Sequence, residues 1–196
     1  MTELHYAEWG VGLLLAAVFA VALLESLAVV GLLVPGVGLL MALTLAATDA
    51  SVPVALWVVS GAVGAFAGDG LSFWLGSKAG PAVHEWRIFR RHPEWINDGE
   101  HFFRRWGAWS IVIGRFIGPI RPVIPMVAGL LRMSPRTFWW ANLLSAPAWA
   151  CAYLGGMYWL GEAFIEHFGE LDLTSALGLL VIASIVAVLV SVLARK

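Results

Sequence analysis

The chain has 196 residues, of which 60% are hydrophobic and only 13% are charged, and its mean hydropathy is +0.83. This composition excludes an ordinary soluble domain and predicts a polytopic membrane protein. The formal net charge of -1 comes without a basic tail, so we expect no nucleic-acid partner, and the single cysteine, Cys151, excludes an intrachain disulfide and a cysteine metal cluster.

Six apolar stretches predict the path of the chain, since a membrane span needs about 20 apolar residues. They cover approximately residues 11–24, 27–47, 52–76, 106–131, 138–160 and 173–193. The N-terminal segment 1–26 lacks the positive first region of a secretory signal peptide, so we expect it to remain as a membrane helix. The C-terminal segment 173–193 is predicted to be a transmembrane helix that either anchors the chain or contacts a second copy in a homo-oligomer.

Two of these segments, 27–47 and 106–131, contain residues that break helices. The breaking residues are Pro35 and Gly36 in the first segment and Gly118, Pro119, Pro122 and Pro125 in the second. Proline removes a backbone donor and clashes with the preceding turn. Non-helical backbone at membrane depth persists only where it is buried in protein or lines a wet cavity. We therefore predict that each segment is a re-entrant hairpin made of two half-helices.

The two halves of the chain resemble each other in the order of their motifs. "GLLVPG", "SVPVALW" and "FWLG" in the first half parallel "GRFIGP", "MSPRTFW" and "YWLG" in the second. The first repeat, 27–77, joins its hairpin to a transmembrane helix over 52–76, and the second, 106–161, joins its hairpin to one over 138–160. Paired broken segments of this kind point to a transporter site. The predicted fold is all-α, an inverted repeat with two opposed re-entrant hairpins and about four transmembrane helices.

Charge predicts the orientation of the chain. The joint 78–105 carries six lysine and arginine residues between its ends, whereas 161–172 carries four acidic residues and no lysine or arginine. The positive-inside bias places the first joint and the C-terminus in the cytoplasm. Within the basic joint, the mixed aromatic and arginine residues of 81–98 fit either an interfacial helix or a solvated loop. Tryptophans near segment ends, such as Trp57, are expected to be interfacial anchors.

Four ionisable residues lie inside apolar stretches: Glu25, Asp69, Arg115 and Arg121. A charge at a helix centre costs roughly 2.5–3.5 kcal/mol on insertion scales, and such residues usually face a bundle interior or a wet cavity. A functional site is therefore the first expectation. The alternative is two ion pairs that merely hold the helices together, although apolar residues would serve that purpose as well.

The chemistry of these residues predicts an anion site. The break at Gly118 and Pro119 lets the guanidinium groups of Arg115 and Arg121 converge, and paired guanidinium groups match the geometry of phosphate. Glu25 and Asp69 are predicted either to exchange protons or to neutralise the arginines when the site is empty. We predict no catalytic residue, no metal and no cofactor.

The sequence resembles the DedA family, also described as SNARE-associated or VTT-domain membrane proteins. The resemblance rests on "FFRRWGAWSIVIGRFIGPIRPVIPMVAGLLRMSPRTFWWANLLSAPAWA", "GAFAGDGLSFWLGSKAG" and "ESLAVVGLLVPG", and it covers roughly residues 25–161. It implies opposed re-entrant hairpins in the bacterial cytoplasmic membrane and assigns function to the same two carboxylates and two arginines. Many members have a carboxylate after the hairpin Pro-Gly, where this chain has Val37.

The resemblance also implies a flippase that moves a polyprenyl-phosphate lipid, notably undecaprenyl phosphate, with coupling to the proton gradient. Three other functions stay open: a proton-coupled exporter of small ions or drugs, a phospholipid scramblase and a lipid phosphatase. An exporter of this kind would not need the paired arginines, Arg115 and Arg121. The phosphatase needs a histidine in the site, and the five histidines lie in polar joints or near the N-terminus.

Overall fold

The structure is a computed structural model that describes residues 2–32, 36–117 and 120–160, without the side chains of 2–9, 37 and 49. Pro35, Gly118 and Pro119 of the predicted hairpins lie outside the described residues. So does the predicted C-terminal helix 173–193.

All regular elements of the described residues are helices, which confirms the all-α prediction for this part of the chain. They are α1 (Thr2–Ser26), α2 (Gly36–Asp49), α3 (Val54–Ala79), a 3-10 helix (Gly80–Glu85), α4 (Arg87–Arg91), α5 (Pro93–Trp106), α6 (Trp109–Gly114), α7 (Val123–Leu130) and α8 (Pro135–Ala150). A π-helical turn, Cys151–Gly155, continues α8 into helical residues 156–160.

Helix α3 is the centre of the described fold and packs against α1, α7 and α8. Glycines allow the close approach: a side chain at Gly64 or Gly68 would overlap the backbone of α1, and one at Gly76 would overlap the backbone of α7. Gly129 of α7 meets the backbone of α3 in the same way. Small residues at helix interfaces let backbones pack at short range, which is how membrane helices commonly associate.

Helix α7 is apolar on all sides, and each of its eight residues is buried. A helix that is apolar all round requires cover on every face. The basic joint supplies part of that cover, because Val83, Phe89 and Ile96 are buried in one cluster with α7 residues. The joint thus contains helical segments, and these three side chains do not face solvent. These side chains pack on protein instead, while Arg87, Arg90 and Arg91 stay exposed.

The first broken segment differs from the predicted pair of half-helices. Residues 27–32 form turns, and the next helix of the described residues, α2, begins at Gly36. Ser72 of α3 stabilises this exit from α1, since its Oγ accepts from Ala28 N–H at 3.0 Å and donates to the Ser26 carbonyl oxygen at 3.0 Å. A side chain thereby replaces the helical partners of the chain end.

The second broken segment contains two short helices, α6 and α7. Their six and eight residues span about 9 and 12 Å. Neither length approaches the roughly 30 Å of a bilayer core. Pro122 precedes α7 directly, and Pro125 lies in its first turn, where the missing N–H has no helical partner to lose. Pro125 therefore does not break the helix in which it lies.

The outward faces of the long helices are apolar. Within the described residues, one helical stretch is long and apolar enough to cross a membrane, namely α3 with the 3-10 helix that follows it, Val54–Glu85. Parts of α1 and α2, Gly10–Ser26 and Gly38–Thr48, are shorter apolar helices. Val59 of α3 and Leu144 of α8 are examples of large apolar side chains more than half exposed. Exposed apolar faces on this scale fit a lipid environment.

One tryptophan contradicts the predicted anchoring role. Trp57 is fully buried, and its Nε1 donates to Thr44 Oγ1 at 3.1 Å. Packing between α2 and α3 removes this residue from the membrane interface, although it lies near a segment end. Trp106 and Trp139, which also lie near segment ends, are each 42% exposed, and their anchoring role stays a prediction.

Candidate anion site at the helix break

The structure brings all four predicted ionisable residues into the protein interior at one place. Glu25 is the last residue but one of α1, and Asp69 lies in the middle of α3. Arg115 directly follows α6, and Arg121 lies two residues before α7. Their exposed fractions are 7%, 4%, 4% and 8%, respectively, so none is a surface charge.

These residues form two ion pairs. Arg121 Nη1 lies 2.5 Å from Glu25 Oε1, and Arg115 Nη2 contacts Asp69 Oδ2. The two pairs lie near each other, because Arg115 and Arg121 are only six positions apart in the chain. The four groups are thus one electrostatic cluster with two formal positive and two formal negative charges.

Asn142 of α8 orients Arg115. Its Oδ1 accepts from Arg115 Nη2 at 2.6 Å, and its Nδ2 donates to the Phe66 carbonyl oxygen on α3 at 3.1 Å. The amide thereby links three parts of the fold at the site. Sequence reasoning missed this residue, although a polar amide within the apolar stretch 138–160 was a usable signal.

Trp149 covers Arg121. The guanidinium carbon lies 4.2 Å from the centroid of the Trp149 ring, a cation–π contact in a buried setting. Pro147 inside α8 and the π-helical turn Cys151–Gly155 flank this residue. Nothing local in the sequence distinguishes Trp149 from the other ten tryptophans, because the contact joins residues 28 positions apart in the chain.

Several donors of the cluster have no hydrogen-bond partner among the described residues. These donors are Arg115 Nη1, Arg121 Nε, Arg121 Nη2 and Trp149 Nε1. Two oxygen atoms, Ser26 Oγ and Glu25 Oε2, also lack a partner there. A buried donor without a partner costs about 1–3 kcal/mol, and more when it is charged. Buried N–H groups of this kind can bind an oxyanion.

Gly36 brings the start of α2 against the same site. A Cβ at this position would lie 2.6 Å from Glu25 Cδ. The sequence marked Gly36 as a helix breaker, whereas the structure shows that it also makes room for the Glu25 carboxylate. Among the described residues, no group of three or more His, Cys, Asp or Glu side chains is arranged to hold a metal ion.

The helical fold, the exposed apolar faces and the buried charge cluster together define an integral membrane protein. The chain matches the VTT domain over residues 27–159 and belongs to this family, which is the DedA family of the sequence resemblance.

The relatives of the chain are membrane proteins. It is 36% identical over 141 residues to the inner membrane protein YabI of Escherichia coli K12, covering 71% of this chain and 55% of YabI. A membrane protein of Buchnera aphidicola from Acyrthosiphon pisum is 31% identical over 139 residues, covering 71% and 54%. The chain thus matches just over half the length of these relatives. No solved structure matches it significantly.

Proposed function

We propose that the protein is a transporter that moves a polyprenyl-phosphate lipid, such as undecaprenyl phosphate, across a bacterial cytoplasmic membrane. One observation carries this proposal. Two buried arginines in the same cluster have N–H groups that donate a hydrogen bond to none of the described residues. A lipid phosphate offers several oxygen acceptors at membrane depth, and its hydrocarbon chain can remain in the bilayer.

Guanidinium groups suit this ligand better than ammonium groups. Their planar N–H pairs bind phosphate oxygens in a bidentate manner, and they stay charged at physiological pH. Asn142 and Trp149 fix the two guanidinium groups before a ligand binds. A prearranged site binds more tightly because less side-chain freedom is lost.

Charge balance gives the carboxylates a role in the cycle. The cluster is formally neutral, whereas a phosphate monoester carries a charge of about -1.5 to -2 at pH 7. Adding the phosphate to the neutral cluster would leave a net negative charge in the interior, which is costly. The phosphate therefore displaces Glu25 and Asp69 from the arginines, and the two released carboxylates become neutral by taking up protons. In the empty site the carboxylates act as counter-charges. Proton coupling then needs no carboxylate at position 37.

The membrane arrangement that goes with this proposal has the two broken segments as opposed re-entrant hairpins of an inverted repeat. The site then lies between the two repeats, where alternating access to each leaflet is achieved by rocking one repeat against the other. The C-terminus is cytoplasmic, in keeping with the basic joint 78–105.

The test is transbilayer movement of undecaprenyl phosphate in vesicles that contain the purified protein. We expect Arg115→Lys and Arg121→Lys to slow this movement at least about tenfold, because a hydrogen bond to a charged group contributes about 1.5–3 kcal/mol. Arg132→Lys is the control, since Arg132 is exposed. Equal rates in the wild type and both site variants would contradict the proposal.

The same vesicles separate the other functions. A scramblase moves zwitterionic phospholipid as fast as lipid phosphate, whereas the proposed site selects the phosphate monoester. A phosphatase releases inorganic phosphate, and we expect none. If neither lipid moves but Glu25→Gln abolishes proton flux, the exporter replaces the proposed transporter.

A further inference from the structure

A groove between α6 and α8 lies outside the cluster of buried charges. It encloses about 360 Å³, and its walls include Trp109 of α6 and Trp140 and Leu144 of α8. Ligand pockets typically occupy roughly 300–1,000 Å³, so the volume fits part of a hydrocarbon chain. The three wall residues are 67%, 67% and 68% exposed. A lipid molecule in the bilayer can therefore reach the groove from the side.

One end of the groove is cationic. Arg136 lines it and is exposed, and within the described residues it forms no ion pair. Its guanidinium group is free to bind an oxyanion that approaches along the groove. An apolar wall with a single cation at one end matches a molecule that has a long apolar chain and an anionic head. The charge bias of the sequence assigns this end to the cytoplasmic side.

The groove also lies next to the buried site. Val112 and Ala141 form its inner wall. Arg115 follows Val112 by three residues, and Asn142 follows Ala141 directly, so the hydrogen bond between Arg115 and Asn142 lies just behind this wall. A lipid seated in the groove thus has its chain next to the helix contact that holds the first buried arginine.

We propose that this groove binds the hydrocarbon chain of a lipid phosphate from the cytoplasmic leaflet while Arg136 holds the phosphate. The groove is then the lateral access route to Arg115 and Arg121. This inference rests on the proposed transport of a lipid phosphate and adds to it where the lipid chain binds and which residue meets the head first.

The test uses photolabelling of the full chain in nanodiscs. The probe is a polyprenyl phosphate with a diazirine in its chain, and the comparison probe is the polyprenol of the same length. Labelled residues are mapped by mass spectrometry. We expect the phosphate probe to label the walls of the groove and the alcohol to label them more weakly.

Two variants and two matched controls locate the effect. Leu144→Trp fills the groove and is expected to abolish the labelling, whereas Leu143→Trp, on the same helix but outside the groove, leaves it unchanged. Arg136→Gln is expected to lower labelling by the phosphate probe by up to about fivefold, the upper end for an exposed ion pair. Arg132→Gln is its control.

Equal labelling by the phosphate and the alcohol, or labelling that persists in Leu144→Trp, overturns the inference. The vesicle experiment keeps the two proposals apart. If lipid phosphate moves at the same rate in wild type and Leu144→Trp, the groove is not the route, although the transporter stands. If phosphate-dependent labelling occurs without any movement, the groove is a lipid-phosphate site and the transporter fails.

Discussion

At the scale of single residues, the four buried charges are arranged so that each has one opposite partner. Neither arginine uses all of its donors on that partner. Removing one member of a buried pair leaves an uncompensated charge, whereas removing both leaves two neutral groups. A double variant therefore removes the pair without leaving an unpaired buried charge.

We predict that Glu25→Gln and Arg121→Gln each destabilise the protein by about 3–5 kcal/mol, because each leaves a buried charge unpaired. The double variant is expected to be less destabilised than the sum of the two, by up to about 3 kcal/mol, as coupled neighbours show. Reversible unfolding in detergent micelles measures all three. Arg104→Gln is the control and should change stability by less than about 1 kcal/mol, since Arg104 is exposed and its nitrogen lies 3.8 Å from Glu100.

The double variant also tests the alternative of a purely structural pair. If it folds but no longer moves lipid phosphate, the two side chains serve the ligand. If it folds and transports at the wild-type rate, the pair between Glu25 and Arg121 only holds α1 to the segment that precedes α7.

At the scale of elements, the close packing of α3 on α1 and α7 positions the cluster. Asp69 and Gly68 are neighbours on α3, so the surface that meets α1 is next to the residue that pairs with Arg115. Gly76 similarly sets the distance between α3 and α7. Arg121, which pairs with Glu25, lies just before α7. A larger residue at these glycines therefore changes the site as well as the interface.

We predict that Gly76→Ala destabilises the protein by about 1–3 kcal/mol, because the added methyl group overlaps the Met126 carbonyl oxygen and the helices must separate. The matched control is Gly156→Ala in the helical residues after the π-helical turn, where nothing lies within 4 Å of an added Cβ. This control should be neutral or stabilise by up to about 1 kcal/mol. Thermal unfolding in detergent compares them, and an equal effect of both substitutions would contradict the packing argument.

At the scale of the whole molecule, apolar surface and charge distribution determine how the chain lies in the membrane. The exposed arginines of the basic joint and the turn between α2 and α3 are predicted to lie on opposite sides. Cysteine labelling measures this directly, because Cys151 can be replaced by alanine to give a background without cysteine.

In that background we predict that a membrane-impermeant maleimide labels Ala50→Cys in intact cells and labels Arg91→Cys only after permeabilisation. Both positions are exposed, so a difference in labelling reports the side of the membrane and not burial. Labelling of Arg91→Cys in intact cells would reverse the predicted orientation.

The sequence by itself determined the all-helical membrane class and the four costly charges, because hydropathy and ionisable residues inside apolar stretches are visible in local composition. The family followed from the resemblance of its motifs. It also located the interruptions in the helices, although Pro125 lies within α7 and residues 27–32 form turns and not a half-helix. Those details depend on which backbone groups find partners elsewhere, as Ser72 does for the end of α1.

Only the tertiary structure decided which carboxylate pairs with which arginine, and that Asn142 and Trp149 complete the site. Glu25 and Arg121, which pair with each other, are 96 positions apart in the chain. Such contacts depend on how α1, α3 and α8 pack around the break, and no local pattern of residues encodes a distance between helices.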